Sequence, residues 1–183
     1  MIAPLWIAGL WGFAEATFFF LVPDVWLSFL AIESFTQGVA GSFAALAGAL
    51  NGGSLMWFYG RRSPLEAFNF LSRIPGIGSR LTTEVREQTA RRGLLALFLG
   101  PVRGIPYKIY AVESGATSRS LGAFLLVSIP ARYLRFIGAV CAFWLAARYP
   151  LAGLSLEGKR AAVGLFWIAF YAWYFRKFGW KGR

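Results

Sequence analysis

The sequence contains no histidine, a single cysteine, Cys141, and a single aspartate, Asp24. Without histidine there is no Ser-His-Asp triad, no HExxH zinc site and no His-dependent lipid phosphatase chemistry. One aspartate excludes a two-aspartate intramembrane protease. One cysteine excludes an internal disulfide, and Cys141 lies in an apolar run where a thiol serves as a small core hydrophobe. No set of residues suggests a metal site, and no cofactor is implied. The N-terminus is apolar but lacks a basic leading region and a clear small-residue cleavage site, so no cleaved signal peptide is expected. Acids are scarce: eight against 19 Lys and Arg, for a net charge of +11.

What the chain has instead is apolar sequence. It is 57% hydrophobic and 18% aromatic over 183 residues, with mean hydropathy +0.55. That length is one domain and that composition is an integral membrane protein. The basic residues sit between and after long apolar runs, as in the positive flanks of membrane spans, so nucleic acid is not an expected partner.

One stretch, Leu97 to Gly115, begins and ends like a membrane segment but carries Pro101, Gly104 and Pro106 with Arg103, Lys108 and Glu113. Each proline removes a backbone donor and frees a carbonyl that hydrocarbon cannot satisfy, so broken backbone survives at membrane depth only inside protein or beside water. Residues 94–116 are therefore expected to form a re-entrant helical hairpin, the alternative being a surface loop between ordinary helices. Residues 4–33 repeat the pattern, with Glu15 inside an apolar run and Pro23-Asp24 at a break. They read as a first hairpin, or as one full span ending near Pro23.

Residues 39–59 form a Gly/Ala-rich span whose small residues permit close packing, internally or in a homo-oligomer. Its Asn51 is expected to make an interhelical hydrogen bond, and Arg61-Arg62 marks its cytoplasmic end. Residues 63–93 are the most polar. The spacing of Leu65, Phe68, Leu71 and Ile74, the Pro75–Gly78 turn and a second helix from about Thr82 to Arg92 predict interfacial amphipathic helices on an anionic leaflet. Residues 121–147 and 161–176 read as two further spans, the last aromatic-rich and followed by Arg176, Lys177, Lys181 and Arg183. Placing 61–93 and the tail inside satisfies the positive-inside rule. Hairpin plus helix then occurs twice in opposite orientation, as in secondary transporters whose broken helices meet near the midplane. The expected fold is an all-α polytopic membrane protein of two inverted units, a final transmembrane helix and interfacial helices.

Glu15, Asp24, Arg103, Lys108, Glu113, Arg132 and Arg135 all fall within these apolar segments, where charges require a shared polar cavity or partners. Arg132 and Arg135 are three apart and share a helix face, where a phosphate would relieve their repulsion. Lys108 adds a compact charge, while Glu15 and Asp24 supply carboxyls able to take up and release a proton. The alternative is structural pairing, for example Glu15 with Arg132. Arg119 and Arg148 are expected to snorkel to the interfaces.

At these residues the sequence resembles the DedA (SNARE-associated, VTT-domain) membrane family, in particular its short YqaA-like branch. The resemblance covers roughly residues 10–140. It is carried by Glu15 with Pro23-Asp24, by Tyr59-Gly60-Arg61-Arg62, by Gly104-Ile105-Pro106-Tyr107-Lys108 followed by Ser114-Gly115, and by Ala131-Arg132 with Arg135-Phe136. Two positions depart from the family pattern: its Pro-Gly-Glu-like tip is Pro23-Asp24, and the glycine before its arginine pair is Ala131. The resemblance implies two inverted re-entrant hairpins in a bacterial plasma membrane protein, with a cytoplasmic C-terminus, that moves an anionic lipid such as a polyprenyl phosphate or phospholipid. By the same resemblance Arg103, Lys108, Arg132 and Arg135 would hold the lipid phosphate and Glu15 and Asp24 would couple protons. Pro23, Pro101, Gly104 and Pro106 would shape the hairpins. A membrane scaffold without transport, a lipid-modifying enzyme and an ion channel are the competing classes.

Overall fold

The computed structural model describes residues 5–98 and 100–178; residue 4 of the first expected hairpin, Leu99, and Lys181 and Arg183 of the basic tail lie outside it. All regular structure among the described residues is helical. The elements are α1 (Leu5–Thr17), α2 (Asp24–Glu33), α3 (Phe35–Arg62), α4 (Pro64–Ser72), α5 (Ser79–Arg92), a 3₁₀ segment (Gly93–Phe98), α6 (Gly100–Arg103), α7 (Tyr107–Ala116), α8 (Leu121–Arg148) and α9 (Leu156–Phe178).

Two of these helices, α3 and α8, are long and apolar enough to cross a membrane. Each has 28 residues, about 42 Å at 1.5 Å per residue. Both start at a serine N-cap, Ser34 accepting from the Gln37 N–H and Ser120 from the Ala123 N–H. Both end on arginine, where a cation complements the carbonyl end of the helix. The 23-residue α9 has the length to span but is not one of the two, being diluted by glycine, Trp, Tyr and basic residues. Pro130 lies inside α8, where its ring removes one backbone hydrogen bond.

The apolar stretch at the N-terminus is not one long helix. It breaks over residues 18–23, leaving α1 with 13 residues, about 20 Å, which is short of a hydrocarbon core. The second break, residues 104–106, follows the single turn of α6. Gly104 there adopts φ +68°, a left-handed conformation that side chains with a Cβ resist.

Helix α3 organises the packing through its small residues. A Cβ on Gly48 would stand 1.9 Å from the Gly9 carbonyl oxygen of α1, and one on Gly60 2.2 Å from the Val112 carbonyl oxygen of α7. Gly41 faces Leu27 and Leu30 of α2, Gly52 faces Phe13, and Gly53 faces Tyr107. The order of these contacts sets direction: α1 and α7 run parallel to α3, whereas α2 runs antiparallel, alongside its first turns. Helix α8 is antiparallel to α3, with the Tyr133 ring against Phe43 and Trp144 against Phe35. The glycine-rich face expected to serve internal or dimer packing is thus occupied within the chain. Asn51 lies off that face: it is exposed, and its Nδ2 donates to the Ala47 carbonyl of its own helix at 2.8 Å, not to a neighbouring helix.

Polarity is distributed inside out. Trp6, Leu10, Phe43, Leu55, Leu126, Leu134, Leu165 and Ile168 point outward from α1, α3, α8 and α9, while Glu15, Asp24, Lys108, Glu113 and Arg132 are buried. The polar 63–93 section folds as α4 and α5 around the Pro75–Gly78 turn, burying Ala67, Leu71 and Val85 and exposing its arginines.

Candidate functional site

Both helix breaks lie level with the middle of α3, and charged side chains from four helices converge on them. Helix α1 ends with Glu15, α2 begins with Asp24, α7 begins with Tyr107-Lys108, and the centre of α8 presents Arg132 and Arg135. Glu15 accepts from Arg132 Nη2 and Asp24 from Arg135 Nη2, joining residues 117 and 111 apart in the chain. The Arg132 guanidinium is sandwiched between the rings of Tyr107 and Phe136, 4.8 Å from each centroid, which supplies the cation–π contact a desolvated arginine favours. The Tyr107 hydroxyl in turn donates to Ser128 Oγ of α8 at 3.0 Å.

Lys108 is the odd charge. It is 1% exposed, it has no carboxylate within ion-pair distance, and its Nζ donates to the Phe19 carbonyl oxygen at 2.7 Å. That carbonyl belongs to the first break, so the second hairpin holds the first by this bond. Glu15, Asp24, Lys108, Arg132 and Arg135 together carry a net charge of +1.

A cavity of about 340 Å³ opens beside this cluster. Glu15, Asp24, Lys108 and Arg135 line one part of it; Phe166, Trp167, Phe170, Tyr171 and Tyr174 of α9 form an aromatic wall. Helix α9 is tied to the first unit at the cavity edge. Tyr171 accepts from the Val22 N–H at 2.9 Å, and Trp167 Nε1 donates to Ser28 Oγ at 2.9 Å. Asp24 Oδ1, buried at the cavity, has no partner.

No protein-family model, curated protein or solved structure matches the chain.

Of the four residues expected to hold phosphate, Lys108 and Arg135 reach the cavity. Arg132 sits behind it, lining a void of about 10 Å³. Arg103 lies elsewhere: it is half exposed and bonds Glu84 of α5 at 3.1 Å. Glu15 and Asp24 both line the cavity, each already bonded to an arginine. Among the residues expected to shape the hairpins, Pro23 caps α2, Pro101 lies in α6, and Gly104 and Pro106 form the break before α7. Tyr107 was named only within the motif that carries the resemblance, and Trp167 and Tyr171 were not singled out by sequence. Trp167 and Tyr171 are four apart on one helix face, which is the signal that would have marked them as a pair facing the same neighbour. The described residues include no cluster suited to a metal ion.

Proposed function

We propose that the protein is embedded in a membrane and translocates an anionic lipid, a polyprenyl phosphate or phospholipid, by the arrangement the DedA resemblance implies. In this reading α3, α8 and α9 span the bilayer, and α1–α2 and the 93–116 segment are re-entrant hairpins of opposite orientation whose tips meet near the midplane. The C-terminus and the 63–93 helices lie on the cytoplasmic side. Large apolar side chains outside and charges inside support the embedding, since hydrocarbon is the solvent that rewards such a distribution.

The observation that carries the lipid assignment is Lys108. A buried ammonium with only a carbonyl for a partner, facing a cavity with an aromatic wall, leaves one positive charge and two free N–H donors for an incoming anion. A phosphate at Lys108 and Arg135 with its chain along α9 satisfies both parts of the cavity.

A second reading, a scaffold that moves nothing, is favoured by one fact: both acids are already paired with arginines. Reconstituted liposomes separate the two. Purified protein would be assayed for flipping of labelled undecaprenyl phosphate and of a phospholipid, with and without a pH gradient, beside Lys108→Met. Flipping lost in a folded Lys108→Met protein supports the site, and dependence on the gradient assigns Glu15 and Asp24 to coupling. No flipping by folded wild-type protein supports the scaffold.

A further inference from the structure

A second opening, of about 620 Å³, lies away from the central cavity, among α4, α5 and the end of α7. Its charged and polar lining is Arg86, Thr89, Glu113, Thr117 and Arg119, and Leu65 and Phe68 form an apolar side. Three features of it are unexplained by packing. Glu113 is 3% exposed, yet its ion pair is a loose 3.7 Å contact with Arg86, whose side chain is 68% exposed. Arg119 gives one N–H to the Thr89 carbonyl at 3.1 Å, but its Nε is buried without a partner. Thr89 is 2% exposed and its hydroxyl is also unpartnered. Buried polar atoms without protein partners are uncommon in folded chains, and the two beside this groove are donors that a water or a ligand would satisfy.

The charges define that ligand. Arg119 Nε and the Thr89 hydroxyl are donors that suit a phosphate, and Arg86, held over the Phe68 ring at 5.6 Å, can join them. A simple anion would be set against the buried Glu113 carboxylate. A ligand with a phosphate and a nearby ammonium satisfies both signs, the ammonium replacing Arg86 as the close partner of Glu113. Depth also matters. Gly115 packs on the Trp57 carbonyl and Gly60 on that of Val112, so Glu113 is level with the last turns of α3, just before Arg61-Arg62. In a membrane-embedded chain that is headgroup level.

We propose that this groove binds the phosphoethanolamine headgroup of a membrane phospholipid, with the phosphate on Arg119, Thr89 and Arg86, the ammonium on Glu113, and the start of an acyl chain against Leu65 and Phe68. The site rests on the membrane embedding proposed above but not on transport, and it anchors a lipid apart from the central cavity.

The test is native mass spectrometry of purified full-length protein given equal amounts of phosphatidylethanolamine and phosphatidylglycerol with the same acyl chains. The most tightly held lipid should be the ethanolamine form by on the order of tenfold, the weight of one charge-assisted hydrogen bond. Glu113→Gln should bring the two within about twofold, and Arg119→Ala should weaken both. Equal or reversed preference in wild-type protein, which needs no variant to fold, would overturn the proposal. So would an unchanged preference in Glu113→Gln. Displacement by soluble O-phosphoethanolamine at concentrations matching the lipid would overturn the lipid as source. Because the readout is bound lipid, the result stands whether or not the protein flips anything.

Discussion

Removing the Glu15 carboxylate should be among the most damaging single changes available. Its partner Arg132 is 3% exposed and lies between two aromatic rings. Glu15→Gln would leave that guanidinium charged, buried and without a counter-ion, a loss of about 3–5 kcal/mol. For a chain of this size that corresponds to roughly 6–20 °C in melting temperature. Glu15→Leu with Arg132→Met removes both charges and should recover most of the loss. A deficit of about 1–2 kcal/mol would remain for the cation–π contacts with Tyr107 and Phe136. The assay is thermal unfolding in detergent of wild type, Glu15→Leu, Arg132→Met and the double, read as a double-mutant cycle, with Glu15→Gln measured alongside. Flipping measured on the same proteins then divides structure from function: a folded, stable double variant that no longer moves lipid would place the pair in the transport site. If Glu15→Gln costs less than about 1 kcal/mol, the two groups are not a buried ion pair and the reasoning fails.

Lys108→Met should abolish binding of a short-chain lipid phosphate to the central cavity, measured by calorimetry, with only a modest shift in melting temperature, because relief of an unpaired buried charge offsets the lost bond to the Phe19 carbonyl. Gly48→Ala should destabilise sharply or prevent folding, since its methyl would overlap the Gly9 carbonyl, whereas Gly138→Ala, with open space around it, should stabilise by about 0.5–1 kcal/mol; thermal unfolding of the pair checks both. Tyr171→Phe removes the acceptor of the Val22 N–H and should cost about 1–3 kcal/mol while increasing accessibility of the cavity to a small spin-label reagent placed on α9.

The breaks were legible because their causes are local. Pro23, Gly104 and Pro106 act on their own backbone, and the structure interrupts its helices at those places. Amphipathic spacing likewise showed α4 and α5, although α3 extends beyond the expected 39–59 to 35–62. Partner choice was less legible. Sequence placed seven charges in apolar segments and suggested Glu15 with Arg132, but the pairing of Asp24 with Arg135 depends on how α2 lies on α8. Arg103 illustrates the limit. Only five residues before Lys108, it projects toward Glu84 on α5, because the Gly104 turn separates the two directions. Arg119 is held by the Thr89 carbonyl, and Arg148 is exposed and lies over Trp144. Asn51 bonds its own helix, its exposed amide reaching the Ala47 carbonyl one turn back.

Because α1 and α7 seat on two separate glycine-bearing stripes of α3, one helix is the common ruler for two hairpins. Gly48 positions the first and Gly53 the second, five residues apart. The alignment of Lys108 with the Phe19 carbonyl is therefore a matter of helical phase. One residue inserted between those glycines would turn one seat about 100° relative to the other and move it 1.5 Å along the axis. Each hairpin would keep its own packing surface, but the two tips would no longer face each other.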